Sequence, residues 1–461
     1  MATNTSPKPT PTKIVTFGCW NEHCCDVSSP MYKVINAISE KDKDANYFLI
    51  LGDNIYPQKT KNASGEKEKI IIDSQLHDGL DLLKKKLLKT KGSELYLLLG
   101  NHDIEQITHD TKITEKNCTT IINERDLSRL NGFNFPTNLT MFQELDTNTL
   151  AIMIDTTIYT DDSLDCYSVL GHDPLNLARQ QEEIIKIEMG KKMAQRRGGE
   201  KYKNIIICGH HPLIGFKNLV VKEGEIKKGV KKPDGIKGGV DTCEIGIYLL
   251  LLDVIRLYGD NFFYLCADIH NYQEGNIIMS NGVDSMTIKQ HIVGIGGAHL
   301  DKDYNGKYID KQERDDFLKT TMPPPNLTQI EVFLNSQPID YTKPANIDII
   351  DKDKQINLNY TIGEHFSDYG YLVSEIMNDE VIFRAVNLHI DVPISISSST
   401  SSTSSSSSSS GGKRTKKRRS KKGKKSKQKN KKTKKINKKK YGGNQEKSYD
   451  FSKIHPASIF I

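Results

Sequence analysis

The stretch YFLILGDNIYP, Tyr47–Pro57, decides the fold. Phe48–Leu51 is an unbroken apolar run, short enough for a strand buried on both faces, and Gly52 ends it in an abrupt turn. Asp53 then stands just past the carboxyl edge of a sheet, where open α/β folds gather their chemistry. The pattern returns three times. Leu95–Gly100 runs into Asn101-His102-Asp103, Ile205–Gly209 into His210-His211-Pro212, and Phe262–Ala267 into Asp268-Ile269-His270. Four strand ends presenting Asp, Asn, His and Asp/His predict a metal site assembled from distant parts of the chain.

Working outward, Ile14–Phe17 and Leu150–Asp155 read as further buried strands, and Gly18-Cys19-Trp20 closes the first of them. Met31–Ile38, Leu76–Leu88, Leu177–Gly190 and Ile245–Tyr258 carry apolar residues at helical spacing. Strand and helix thus alternate through the first half, an α/β arrangement. Lys59–Lys69 and the lysine- and glycine-dense Phe216–Gly239 read as loops. Ile277–Met279 and His291–Gly294 read as strands, the second running into a Gly294-Ile295-Gly296-Gly297 strand end. The pattern blurs from Asp301 to about Glu364, which reads as an insertion, and Tyr369–Ile376 with Val381–Leu388 reads as a final hairpin.

The chain has 461 residues and a formal net charge of +7, but the charge is local. Lys413–Lys440 holds 19 Lys/Arg and no acid; outside it 46 bases face 58 acids, leaving an acidic body at −12. The expected organisation is a leader over 1–12, one folded domain over 13–393, and a Ser/Gly-rich linker over 394–412. The polybasic segment 413–440 and a tail over 441–461 follow. Without interleaved aromatics, the basic segment fits salt-sensitive binding to nucleic acid or another anionic surface rather than base reading.

Eight cysteines follow no regular framework, and Cys208 and Cys266 lie in buried-looking strands. The N-terminus lacks the apolar core of a signal peptide, and Ile245–Leu257 is too short to span a bilayer. Sequons at Asn62, Asn117, Asn138, Asn326 and Asn359 read as chance in an Asn-rich chain. The expectation is a soluble, reduced protein of the cytoplasm or nucleus, with no transmembrane segment.

Asp, Asn and His suit Fe, Mn or Zn. A two-metal centre needs a carboxylate shared between ions about 3.5–4 Å apart, with imidazole and carboxamide groups completing each sphere. Asp53 is the natural bridge, Asn101 offers a neutral oxygen, and His210 and His270 offer nitrogens. Such a pair makes hydroxide from water near neutral pH and neutralises a phosphoryl group during in-line attack. His102 is then placed as general acid for the leaving oxygen, with Asp103 to orient it. His211 reads as a loop or substrate-facing residue, and Asp155 and Asp173 as capping or orienting groups. His23, His109, His291 and His299 read as ordinary polar or packing histidines. The lysines of Lys217–Lys237 either line the entrance and attract an anionic substrate or form a solvated loop.

LGDNIYP, LGNHD, GHHP and IHNYQ together resemble the calcineurin-like metallophosphoesterases, and within them the purple or tartrate-resistant acid phosphatase branch. The resemblance covers roughly residues 13–300. It implies two mixed β-sheets packed as a sandwich flanked by helices, with two divalent or trivalent metal ions at the strand ends. It also implies Asp53 as bridging ligand, Tyr56 as a further ligand, Asn101 and His210 as metal-bound, and His102 as the acid. The chain departs from that pattern twice. Gly18-Cys19 stands where the family has Gly-Asp, and Ala267-Asp268-Ile269-His270 where it has Gly-His-x-His. Asp268 keeps a ligand type; Cys19 brings a soft thiolate, which favours Zn or Fe over Mn or Mg.

The function implied is metal-dependent hydrolysis of a phosphate ester, a phosphomonoester first, by a metal-bound hydroxide. The alternatives are a decayed centre whose protein works as a binding module through its basic tail, and a one-metal site with weak diesterase activity. Intact Asn101 and His102 favour the active enzyme.

Overall fold

The computed structural model describes the chain apart from residues 1–10, 23–24, 57, 62–66, 71–72, 105–127, 129–131, 137–138, 160–173, 221–236, 243–244, 301–344, 352–353 and 391–461. Residues 1–10 of the expected leader, and the linker, polybasic segment and tail, lie outside the described residues, as do His23, His109 and Asp173; Thr12, expected in the leader, already belongs to the first strand.

In chain order the strands are β1 (Thr12–Phe17), β2 (Tyr47–Ile50), β3 (Gln58–Lys61), β4 (Lys67–Ile70), β5 (Glu94–Leu97), β6 (Thr140–Glu144), β7 (Thr149–Ile154), β8 (Tyr202–Cys208), β9 (Ile214–Val220), β10 (Lys237–Thr242), β11 (Gly259–Cys266), β12 (Tyr272–Ser280), β13 (Ser285–Val293), β14 (Ala345–Asp351), β15 (Lys354–Phe366), β16 (Gly370–Met377) and β17 (Glu380–Asn387). Between them come helices α1 (Pro30–Lys41), α2 (Asp73–Leu87), α3 (Asn101–Ile104), α4 (Pro174–Gln195) and α5 (Ile245–Leu249). The last continues through a π turn, Leu250–Val254, and a 3-10 turn, Ile255–Tyr258.

One sheet has the order β17-β16-β1-β2-β5 and the other β14-β15-β12-β13-β11-β8-β7-β6. Both are mixed. In the first, β1, β2 and β5 are parallel, β16 runs antiparallel to β1, and β17 antiparallel to β16. In the second, β7, β8, β11 and β13 are parallel, and antiparallel strands flank them. Parallel strands end along one edge of their sheet, so the residues following β1, β2, β5, β8 and β11 collect there.

The alternation of side chains along β2 explains its unbroken apolar run. Leu49 and Leu51 belong to a core between the sheets with Ile206, Cys208 and Leu265, whereas Phe48 and Ile50 join Val34, Ile38, Leu80 and Leu83 on the outer side. A strand covered on both faces needs apolar residues at every position. The outer core is roofed by α1 and α2. Ser29 caps α1, its hydroxyl accepting from the Tyr32 amide at 3.2 Å, with Pro30 opening the first turn. Leu76, Leu80, Leu83 and Leu87 form the buried stripe of α2, each contributing about 1.5–3 kcal/mol.

Several expectations need correction. Lys59–Lys69 is not a loop: β3 and β4 pair across it as an antiparallel hairpin. The ends of the lysine-rich Phe216–Gly239 segment belong to the β9–β10 pair, and its middle, 221–236, lies outside the described residues. Residues 345–364 are not insertion. β15 pairs with β12 over much of its length and β14 extends the same sheet. Ile356, Leu358 and Tyr360 are buried at period two while intervening positions are exposed or half-buried, and that half-polar alternation blurs the strand in sequence. The remainder, 301–344, lies outside the described residues. Among the described residues, Cys19, Cys208 and Cys266 are free thiols. No described helix is long and apolar enough to cross a membrane.

Candidate metal centre

Two strand ends approach so closely that only glycine fits between them. A Cβ on Gly52 (φ +88°) would lie 2.6 Å from His210 Nδ1, and one on Gly100 2.3 Å from Asp53 Oδ1. The residues that follow take unusual backbone. Cys19 after β1, Asp53 after β2 and Asp268 after β11 all have positive φ, at 50°, 55° and 56°. Such conformations cost a non-glycine residue about 1–3 kcal/mol and persist where surrounding structure enforces them. Here, hydrogen bonds lace the ends together. Cys19 N donates to Gly52 O (3.2 Å), Gly296 N to Gly18 O (3.0 Å), Ala298 N to Cys19 O (2.8 Å) and Ala267 N to His210 O (2.8 Å). Gly294–Gly297 thereby ties the end of β13 to the turn after β1.

Asp53, 1% exposed, sits at the centre, and its two carboxylate oxygens face different groups. Oδ2 accepts from the Tyr56 hydroxyl at 2.8 Å, and that hydroxyl lies 3.3 Å from His270 Nε2. Oδ1 accepts from the His102 amide at 3.1 Å and lies 3.3 Å from His210 Nε2. His210 Nε2 is also 3.1 Å from Asn101 Oδ1 and 3.8 Å from Asp268 Oδ1. Cys19 joins the first cluster, its thiol beside Asp53, Tyr56 and His270. Ligand atoms of Cys19, Asp53 and His270 lie within 4.8 Å of one another, as do those of His210, His211 and Asp268.

The protons on the two imidazoles can be assigned. His210 Nδ1 is 2.6 Å from Leu51 O, and His270 Nδ1 is 2.6 Å from His299 O. A carbonyl only accepts, so each Nδ1 carries a proton, and in the neutral ring each Nε2 keeps a lone pair. In that form His210 Nε2 points an electron pair at Asn101, Asp53 and Asp268 oxygens, all acceptors. Acceptors converging on such a lone pair are reconciled by a cation among them, so the donor types gathered here fit a metal ion.

The charge balance shows what the site favours. Burial raises the Asp53 carboxyl, but positive charge on the rings of His210, His102 and His270, when they are protonated, outweighs it and holds the group below its usual range; a cation held by the neutral rings would supply the same charge. Burial, then the charges of Asp53 and Asp268, push the Cys19 thiol well above its ordinary value. Burial and Asp53 do the same to Tyr56.

The other expected residues divide into two groups. His102 is half-buried, its ring 4.5 Å from that of Tyr56, at the rim of the cluster. Asp103, expected to orient His102, instead ties two turns together. Its Oδ1 accepts from the Asn54 and Ile55 amides (2.8 and 3.1 Å), and its Oδ2 from the Gly100 amide and Asn54 Nδ2 (2.7 and 3.2 Å). Burial and Asp53 push it up to about 8 against the pull of those amides. Asp155 caps the turn after β7, accepting from the Thr157 amide at 2.9 Å. Lys217 and Lys237 fall in β9 and β10.

Two residues escaped the sequence reading. Asn54, fully buried, donates to Leu98 O (2.7 Å) and accepts from Trp20 Nε1 (3.0 Å), fastening the Asp53 turn to β5 and β1 ends. Its place within GDN was the available signal. Thr156, also fully buried, accepts from the His210 and His211 amides (both 3.0 Å) and lies 3.0 Å from His211 Nδ1. A lone threonine after a strand carries no such signal.

Two mixed sheets flanked by helices, with potential ligands gathered at the ends of parallel strands, define a metallophosphoesterase-type fold. Residues 12–232 match the family model of the calcineurin-like phosphoesterases. Asp268 and His270 lie beyond the matched span, yet the fold brings Asp268 beside His210 and His270 beside Asp53. No curated protein matches the chain. Among solved structures it is similar to a Plasmodium protein described as "GAP50 the anchor in the inner membrane complex of Plasmodium". That likeness has 11% identity and a TM-score of 0.37, over 82% of this chain and 85% of the other, too distant to bear on fold or activity here.

Proposed function

We propose that this chain hydrolyses a phosphate ester, a phosphomonoester of the acid-phosphatase kind, at a two-metal centre built on Asp53. The observation that carries the reading is the division of the Asp53 carboxylate, with Oδ1 toward His210 and Oδ2 toward Tyr56. Cys19, Tyr56 and His270 complete one half; Asn101, His210 and Asp268 complete the other. Bound divalent ions supply an activated water near neutral pH and take up charge on phosphoryl oxygens.

The chain's own residues do the rest. The backbone carbonyls of Leu51 and His299 fix the ligating tautomers of His210 and His270. His102, at the rim against Tyr56, delivers a proton to the leaving oxygen. His211 binds the phosphoryl group from its own side. Asp103 holds the ligand-bearing turns rigid. Lys413–Lys440 adds salt-sensitive attraction to anionic partners.

The test is metal content of the full-length chain, with phosphomonoester hydrolysis under added Mn, Zn or Fe(II). Two ions per chain are expected. Asp53→Asn should abolish both retention of the pair and turnover. His102→Ala should keep both ions and lower kcat by about 10²–10⁴-fold. Loss of metal in His102→Ala, or undiminished turnover in Asp53→Asn, overturns the assignment.

A further inference from the structure

The two halves of the centre are chemically unlike, and each of the chain's departures from the familiar motif pattern falls in a different half. Cys19 contributes the sulfur of one, beside Asp53, Tyr56 and His270; Asp268 gives the other a second carboxylate, beside Asp53, Asn101 and His210. We propose that the halves select unlike divalent ions: a thiophilic ion of the zinc class at Cys19 and a hard ion of the manganese class at Asp268. This rests on the two-metal reading above and adds which ion each half takes.

The geometry separates Cys19 from an ordinary core thiol. Its backbone is held on both sides, the amide on Gly52 O (3.2 Å) and the carbonyl by the Ala298 amide (2.8 Å), with φ at +50°. That conformation is costly for cysteine, and it accompanies a thiol set among a carboxylate, a phenol and an imidazole lone pair. Cys208 and Cys266 make the contrast. Both are equally buried, but they lie within strands, and Cys266 Sγ faces the His291 carbonyl at 3.6 Å. Neither belongs to a metal-ligand cluster among the described residues.

The donor sets then decide selectivity. Sulfur and nitrogen with two oxygens favour zinc, cobalt or cadmium; three oxygens with one nitrogen favour manganese or magnesium. Thiolate, Asp53 and Asp268 bring three negative charges against the four positive charges of two divalent ions. The one positive charge left over suits an anionic substrate.

The experiment titrates the metal-free full-length chain with cobalt(II), following thiolate-to-cobalt charge transfer in the near ultraviolet. Bound metal is counted in parallel after equilibration with mixed cadmium(II) and manganese(II). The wild type should bind two ions, with the charge-transfer band complete at one equivalent, and should hold one cadmium and one manganese. Cys19→Asp restores a hard ligand. It should keep two ions, lose the band, and move the preference of that half from cadmium toward manganese by about tenfold or more. Cys19→Ser, nearly isosteric, guards against a folding failure and should lose the band likewise. Two ions bound with no Cys19-dependent band overturns this inference and leaves the two-metal reading standing. Fewer than two ions in the wild type overturns both.

Discussion

Thr156 decides which nitrogen of His211 carries a proton. A hydroxyl has two lone pairs and one hydrogen, and here both lone pairs are taken by the His210 and His211 amides. Its hydrogen is left for His211 Nδ1, 3.0 Å away, so the ring presents N–H at Nε2. His211 is then a donor suited to a phosphoryl oxygen, while its neighbour His210 presents a lone pair suited to a cation. Adjacent histidines acquire opposite roles from the partners of their Nδ1 atoms. Thr156→Ser keeps the hydroxyl and should hold urea stability within about 1 kcal/mol of wild type, with KM unchanged. Thr156→Val strands two buried amides and frees the ring, so a loss of about 2–4 kcal/mol is expected. Its KM should rise while bound metal stays at the wild-type level. If Val matched Ser in KM, Thr156 would be a structural cap and nothing more.

At the scale of elements, β15 distinguishes a working sheet from an appended one. Leu358 is 1% exposed and lies in register with Met279 of β12, whereas Asn357 points out. Leu358→Ala should cost about 2–5 kcal/mol in denaturant unfolding, and Asn357→Ala no more than about 0.5. Equal, small effects would return this region to the status of an insertion. The same comparison explains what the sequence disclosed. β2, β5, β8 and β11 are covered on both faces, so their apolar runs are continuous and the glycine-and-ligand turns after them stand out. β15 is polar at alternate positions, and β3, β4 and β10 are built largely from lysine, glycine and other polar residues, which carry little strand signal. The ligand set was legible because metal chemistry demands particular residue types just past a strand. Asp103 was misread because its proximity in sequence to His102 says nothing about which way its carboxylate turns. The fold turns it onto three backbone amides.

Across the whole molecule, the sandwich carries a buried titratable ring outside the metal-ligand cluster. His291 on β13 is fully buried and packs against Phe383 of β17 in the opposite sheet, ring centroids 4.3 Å apart. Its Nδ1 is 3.1 Å from the Tyr272 hydroxyl, and its Nε2 has no hydrogen-bond partner among the described residues. Burial, with the nearby Lys289 ammonium adding to it, lowers the ring's pKa to about 3. Glu274 lies 3.9 Å from Nδ1 but is bound to Lys289 at 2.9 Å, so its charge does little to favour imidazolium. The folded state therefore refuses a proton that the unfolded chain accepts below its pKa of about 6.5. Stability from this group is complete above pH 6.5 and falls by about 1.4 kcal/mol per unit as pH drops from there toward 3. His291→Asn removes the titration and, with it, that part of the slope. The variant is expected to be less stable than wild type at pH 7, because packing on Phe383 is lost, yet to lose less as pH falls. Urea unfolding at intervals between pH 7 and 4 measures both, and the wild-type and variant curves should converge toward the acid end. Parallel curves would mean that His291 takes up a proton as readily in the folded chain as in the unfolded one.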